Sequence, residues 1–381
     1  MKVRFSYIKD KFADHDLRKS IYANFDKLLD EGDFTLGKVV GEFETKFAEM
    51  IGVKHALGVG NGTDAIRVAL RMVGVGPGDE VICPANTFVA SVGAVDELFA
   101  NPILVDMAPN HVMDTSKIEA AITPKTKAIL PVHFKGTPVE MDEVMQIAQR
   151  YGIPVVEDTA QGFLGEYKGK CLGTIGNAGT FSLHPLKILN VMGDGGMIVT
   201  NDTELYEKMK LYRNHGLRNR DEVDMFGCNT RLDSLQAIIG LNQLAITPNG
   251  VERRRKNMHK YNDALRDYVN VCDVPTYTNP TVHLYMFEVS ESIRDGLYAF
   301  LNEHGVEAKI HYPNVLQGAL PLLGYSPDDF PMAKRQANRI ITLPCDELLT
   351  DEQLDYVIGK VKEFIIASRE RIKIHHNDRR W

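Results

Sequence analysis

Lys187 lies in the stretch GTFSLHPLKILNVMGDGGMIVT (179–200), between a strand-like run ending at Ser182 and the glycine-rich turn Gly193 to Gly196. Its neighbours Leu186, Ile188, Leu189, Val191 and Met192 are apolar. Lysine ordinarily keeps its ammonium in water. Here it is either a solvated surface charge or a desolvated amine, whose lowered pKa supplies the free base that Schiff-base chemistry needs. Asp158 sits at the end of the apolar run IPVVEDTA (153–160). It either caps a helix or lies at the surface, or it is held in a pocket facing a cationic ring nitrogen or a metal. A metal would want histidine or further acids at close spacing. Only Glu157 is adjacent, and along a strand it points to the opposite face.

A third feature is VGNGTDAI (59–66), where Gly62 and Thr63 open a helix after a strand. Free amides and the helix dipole make such a start an anion site; a plain structural turn is the other reading. Thr63 stands where a dinucleotide fingerprint needs its third glycine, and no Gly-Lys-Ser/Thr follows, so neither nucleotide loop fits. An anion cradle, an acid for a ring nitrogen and a lysine for an aldehyde together match the needs of pyridoxal 5′-phosphate (PLP). Asp158 and Lys187 are spaced as residues at two neighbouring strand ends.

The elements that would position these groups follow from pattern. HALGVG (55–60), DEVICP (79–84), NPILVDM (101–107), TKAILPVHF (126–134), IPVVEDTA (153–160), AGTFSL (178–183) and GGMIVT (195–200) read as strands. Residues 62–74, 87–100 and 140–152 carry helical periodicity between them. Continuous apolar strands separated by helices predict a mostly parallel sheet covered on both faces, with ligands at the carboxyl ends of its strands. After about residue 250 the texture shifts to a charged helix, the strand-like VHLYMFEV (282–289), further helices and a basic tail. The expected division is a large α/β domain, 1–250, and a smaller C-terminal α+β domain, 251–381.

Composition excludes several classes. The 381 residues carry a net charge of −7, with no basic footprint for nucleic acid and no polybasic membrane patch. Charges interrupt the N-terminal run, so no signal peptide is expected. No window approaches the roughly 18 uncharged apolar residues of a membrane span. Five scattered cysteines without C-x-x-C spacing suit a reducing cytoplasm.

With these residues in place, the chain resembles the DegT/DnrJ/EryC1/StrS sugar aminotransferases, PLP enzymes of the aspartate aminotransferase fold. The resemblance runs from EGDFTLGKVVGEFETKFAEMIGVKHALGVGNGTDAIRVAL through ANTFVAS, VVEDTAQ, GTFSLHPLK, GDGGMIVT and CNTRLDSLQ to IHYP and LPCDELLTDEQLDYVI. It implies a three-layer α/β/α fold. Gly62, Thr63 and Ser182 would bind the cofactor phosphate, and Phe88 would stack on the ring. Asp158 would pair with the ring nitrogen, Gln161 would reach the ring hydroxyl oxygen, and Lys187 would form the imine. Asn229 would reach the phosphate of a neighbouring subunit, making a homodimer part of the site. The implied reaction moves an amino group from an amino acid, glutamate by family habit, to a nucleotide-diphosphate-linked keto-deoxyhexose. Arg213, His215, Arg218 and Arg220 of RNHGLRNR are candidates for substrate phosphates, with a solvated loop as the alternative. His311, Tyr312 and Phe34 are candidates for the sugar. Three stretches depart from the family pattern: His184-Pro185-Leu186 before the lysine, Val39 where proline is common, and NVLQGALPLLGY where a histidine often stands. They bear on the sugar. A sugar dehydratase of the same family, which often carries histidine in place of the lysine, and a PLP-binding regulatory paralogue are the rival functions.

Overall fold

The computed structural model describes residues 1–377 and the side chains of residues 1–369; the basic tail lies outside these. Two amphipathic helices, α1 (His15–Glu31) and α2 (Lys38–Ile51), lead into β1 (His55–Val59). Helix α3 (Gly62–Met72) starts where the Asn61 side chain accepts the Asp64 amide at 2.8 Å, and it buries Ala65, Ile66, Val68, Ala69 and Leu70. There follow β2 (Glu80–Pro84), α4 (Val89–Asp96), β3 (Asn101–Val105), β4 (Thr126–Ile129), α5 (Met141–Tyr151), β5 (Val156–Asp158), β6 (Ala178–Ser182), β7 (Gly196–Thr200) and α6 (Thr203–Tyr212).

Strands pair in the order β3-β2-β4 and β5-β6-β7-β1. Parallel bridges Ile129 to Val155 and Val132 to Asp158 join the two groups into one sheet. β4 stops short of the expected 134 because Pro131 has no N–H for a ladder. β7 alone runs antiparallel, to both neighbours. The connection 183–195 contains no helix, so the chain turns straight back rather than crossing over.

Alternate residues of each strand feed opposite cores. Leu57, Val81, Cys83, Val156 and Ile198 pack with α3, α4 and α6 on one face. On the other, Ala56, Met197, Val199 and Phe181 pack with α2, and Ile82 and Val155 with α5. This period-two division makes the three-layer α/β/α architecture of an aspartate aminotransferase-like fold.

Helix α7 (Ser234–Leu265) runs through residue 250 without a break, with Pro248 inside it. A second core then forms around an antiparallel sheet of β8 (Asn270–Val271), β9 (Tyr285–Glu288) and β10 (Ile340–Leu343), backed by α8 (Glu291–Glu303) and, further along the chain, α9 (Asp351–Asn377). Chain order and packing differ at two places. Val3 and Tyr7 belong to this second core. Residues Val315, Leu316, Leu320, Phe330 and Ala333 return to the first. Among the described residues no helix is long and apolar enough to cross a membrane, and all five cysteines are free.

Candidate active site

The sheet brings its chemistry to the carboxyl ends of β1, β2, β5 and β6. At the end of β1 the chain enters α3 so close to β6 that a Cβ on Gly62 would lie 2.7 Å from Ser182 Cβ and 3.1 Å from its Oγ. Gly196 is packed as tightly, 2.3 Å in the same sense from the Asn61 carbonyl oxygen. Glycine is required at both. Among the described residues the Gly62 and Thr63 amides have no hydrogen-bond partner. They sit at a helix start beside Ser182, whose hydroxyl is close to Gly62, a cradle that fits a phosphate. Behind it, Thr230 donates to Asp64 at 2.5 Å and accepts the Gly60 amide at 3.1 Å, which stiffens the turn.

Asp158 is 4% exposed at the end of β5. Its Oδ2 accepts from the Ser91 hydroxyl at 2.7 Å and its Oδ1 from the Ala160 amide at 3.0 Å. Glu157 points the other way, fully buried. It accepts from His133 Nε2 at 2.9 Å and from the amides of Gly173, Ile175 and Gly176 at 2.6–2.9 Å. The two adjacent acids thus have separate tasks, one anchoring the strand end and one facing the pocket.

Lys187 follows β6 in a loop held by its own amide to the His184 carbonyl (2.8 Å) and by Asn190 Nδ2 to the Lys187 carbonyl (3.0 Å). Its ammonium forms no hydrogen bond or ion pair among the described residues. Burial pushes its pKa below the ordinary lysine value, against the opposing pull of the Asp158 charge. The amine is therefore close enough to sense Asp158 and poorly enough solvated for its charged form to be disfavoured. His184 and Leu186, flanking it, are exposed.

Gln161 is buried, and its Oε1 accepts the Lys135 amide at 2.5 Å. The NH2, which lies near the Tyr312 hydroxyl, is its remaining polar group, so toward a ring oxygen Gln161 acts as a donor. Phe88, the residue before α4, is 46% exposed although it sits at this strand-end crevice. The Tyr312 ring faces it at 6.3 Å. Burial raises the Tyr312 hydroxyl to about 12, with Gln161 opposing and Asp158 assisting. His311 Nδ1 lies 3.1 Å from Thr342 Oγ1, and burial with Lys309 and Lys187 nearby lowers it to about 4.

The structure does not join every sequence candidate to this cluster. Arg213 is 5% exposed and committed elsewhere. It donates to Glu44 and, at 2.6 Å, to the Gly58 carbonyl, while Glu44 accepts the Gly58 amide at 2.7 Å. β1 is the edge of the sheet, and this buried pair satisfies the outward backbone groups of Gly58. Arg213 is a structural residue here, which corrects its reading as a phosphate ligand. Arg218 pairs with Asp224 at 2.7 Å. His215, Arg220 and Asn229 are exposed, Asn229 bridging to Asn214. Phe34 is 53% exposed between α1 and α2. None of these is hydrogen-bonded or ion-paired to Lys187 or Asp158 among the described residues.

Sequence reasoning missed His283. Burial and the charges of Lys187, Arg254, His311 and Lys11 push its pKa well below the ordinary histidine value. It lies just before β9, in a run that reads as plain strand. Ser91 and Thr87 were also unread, although ANTFVAS contains both.

Whole-chain comparisons identify the family. The family model of the DegT/DnrJ/EryC1/StrS aminotransferase family matches residues 15–362. A pleiotropic regulatory protein of Geobacillus stearothermophilus is 38% identical, covering 91% of this chain and 95% of that protein. The dTDP-3-amino-3,4,6-trideoxy-alpha-D-glucose transaminase of Streptomyces venezuelae is 36% identical over 95% of this chain and 96% of its own. The structure of NtdA from Bacillus subtilis with bound cofactor PMP superposes with a TM-score of 0.89 at 31% identity, covering 96% of this chain and 85% of that one. This chain belongs to the DegT/DnrJ/EryC1/StrS aminotransferase family and is a pyridoxal-phosphate-dependent aminotransferase.

Proposed function

We propose that the enzyme moves the amino group of an amino acid, L-glutamate as donor, onto the keto carbon of a nucleotide-diphosphate-linked deoxyhexose. The observation that carries this is the meeting of three strand ends: the tight Gly62–Ser182 contact, the buried Asp158 carboxylate and the Lys187 amine that feels its charge. The Streptomyces venezuelae relative, named as a transaminase of a dTDP-linked amino sugar, supports the acceptor class.

When bound, pyridoxal phosphate supplies an aldehyde that condenses with amines and a ring that takes up electrons from the substrate carbon. Gly62, Thr63 and Ser182 would hold its phosphate. Asp158 would keep a proton on the ring nitrogen, Gln161 would donate to the ring oxygen, and Phe88 would cover one ring face. Lys187 Nζ would engage the aldehyde. Once displaced by an incoming amine, it would carry a proton between the substrate carbon and the cofactor carbon. Its lowered pKa suits both tasks, since each needs the uncharged amine. His311, Tyr312 and Phe34 would line the sugar, and His215, Arg218 and Arg220 would meet its phosphates. Asn229 would reach the phosphate in a second copy of the chain, so a homodimer would complete two sites.

Purified protein should show the visible absorbance of a lysine-bound cofactor, erased by borohydride with the label on Lys187. Glutamate and a keto-sugar nucleotide should then give an amino sugar. A colourless Lys187→Ala protein that still transaminates would refute the assignment. A deoxygenated sugar as sole product would show a dehydratase. A cofactor-loaded protein with no turnover on any keto-sugar would favour a regulatory role, the function in the name of the Geobacillus relative.

A further inference from the structure

We propose that Ser91, with Thr87 behind it, is a positioning residue that fixes how Asp158 meets the cofactor ring. The proposal rests on the cofactor reading above. Ser91 and Thr87 are each 1% exposed, and Asp158 is 4% exposed. Ser91 Oγ donates to Asp158 Oδ2 at 2.7 Å and lies 3.0 Å from Thr87 Oγ1. A serine hydroxyl has one proton. Since the carboxylate takes it, Thr87 must be the donor in the second contact. The chain of protons therefore runs one way, from Thr87 through Ser91 to Asp158.

Asp158 Oδ1 is held independently by the Ala160 amide at 3.0 Å. With a donor on each oxygen, rotation about the last bond of the side chain is blocked. The remaining lone pairs are left to the pocket where Lys187 lies. Ser91 is also in the first turn of α4, three residues beyond Phe88. One helix start thus sets both the ring's face and the carboxylate at its nitrogen. Removing the Ser91 hydroxyl takes away the only partner of Oδ2 among the described residues in a nearly dry site. Asp158 then turns or recruits water, and its grip on the ring-nitrogen proton weakens.

The test compares Ser91→Ala, Ser91→Thr and Thr87→Val with the unaltered enzyme. Three quantities are read: PLP affinity by spectral titration, the pH midpoint of the bound cofactor's visible band, and the melting temperature of the cofactor-free protein. Ser91→Ala should bind PLP about ten- to a hundredfold more weakly. Its spectral midpoint should move, and its melting temperature should change little. Ser91→Thr restores the hydroxyl and should bring affinity and midpoint back. Thr87→Val breaks only the outer link and should give a smaller displacement in the same direction; it keeps the question open to experiment if Ser91→Ala fails to fold. An unchanged affinity and midpoint in Ser91→Ala, or in Thr87→Val when Ser91→Ala is unfolded, overturns the positioning role. So does a Ser91→Thr protein as impaired as Ser91→Ala, since volume would then be the cause. If the unaltered enzyme itself takes up no PLP, the cofactor reading is what has failed.

Discussion

Gly62 and Ser182 come from different strand ends, yet they touch so closely that a methyl group on the glycine would sit 2.7 Å from Ser182 Cβ. No side chain tolerates that spacing without displacing β6 or the start of α3. The contact sets the width of the anion cradle.

Gly62→Ala should therefore weaken PLP binding about ten- to a hundredfold, the equivalent of the roughly 1–3 kcal/mol that overpacking costs. Gly41→Ala is the control, because nothing lies within 4 Å of a Cβ there. Equilibrium titration with PLP measures both. Equal affinities in the two variants would show that the contact does not shape the cradle.

Arg213→Met should cost about 3–5 kcal/mol of stability, because Glu44 would be left charged, buried and without its partner. A second change, Glu44→Leu, should recover part of that loss while leaving the Gly58 amide unpaired. Urea unfolding of the single and double variants decides it. If Arg213→Met is as stable as the parent but loses substrate affinity, the arginine serves the ligand after all.

Lys187 should also leave a mark on cofactor-free stability. Its folded pKa lies below the unfolded value of 10.5. The unfolded chain therefore binds the extra proton between the two values, and stability rises with pH across that interval. Below the folded value the penalty is present in full. Lys187→Met should make the cofactor-free protein more stable at neutral pH, by about 1.4 kcal/mol for each pH unit separating the folded and unfolded values. Melting curves from pH 7 to 10.5 test this; a parallel pH slope in the variant would contradict it.

His311 acts at the acid end. It titrates at about 4 in the fold against 6.5 unfolded. The unfolded state takes up the proton first, so stability is lost as pH falls from 6.5 to 4, by at most about 3 kcal/mol. His311→Gln should flatten that part of the profile. An unchanged slope would move the acid sensitivity to another group, with His283 the next to try.

Much of this was legible in one dimension. Strand ends at Val59, Asp158 and Ser182 follow from apolar runs meeting polar or glycine-rich turns, and Gly62, Asp158 and Lys187 follow from the chemistry those turns offer. Arg213 was misread because an arginine in a charged loop resembles a ligand clamp; only its burial against Glu44 and the sheet edge revealed its structural part. His283 was overlooked because a histidine in an apolar strand run carries no local signal. Its nearness to Lys187 depends on how the second core docks.

By itself, then, the order of residues determined the sheet's composition, the strand ends that carry Gly62, Asp158 and Lys187, and the cofactor chemistry, because period and turn chemistry are local properties. Tertiary structure alone decided that β7 runs backward, that residues 315–337 rejoin the first core, and that Ser91 donates to Asp158. Those contacts link positions distant in the chain, and burial and orientation emerge only when all layers pack together.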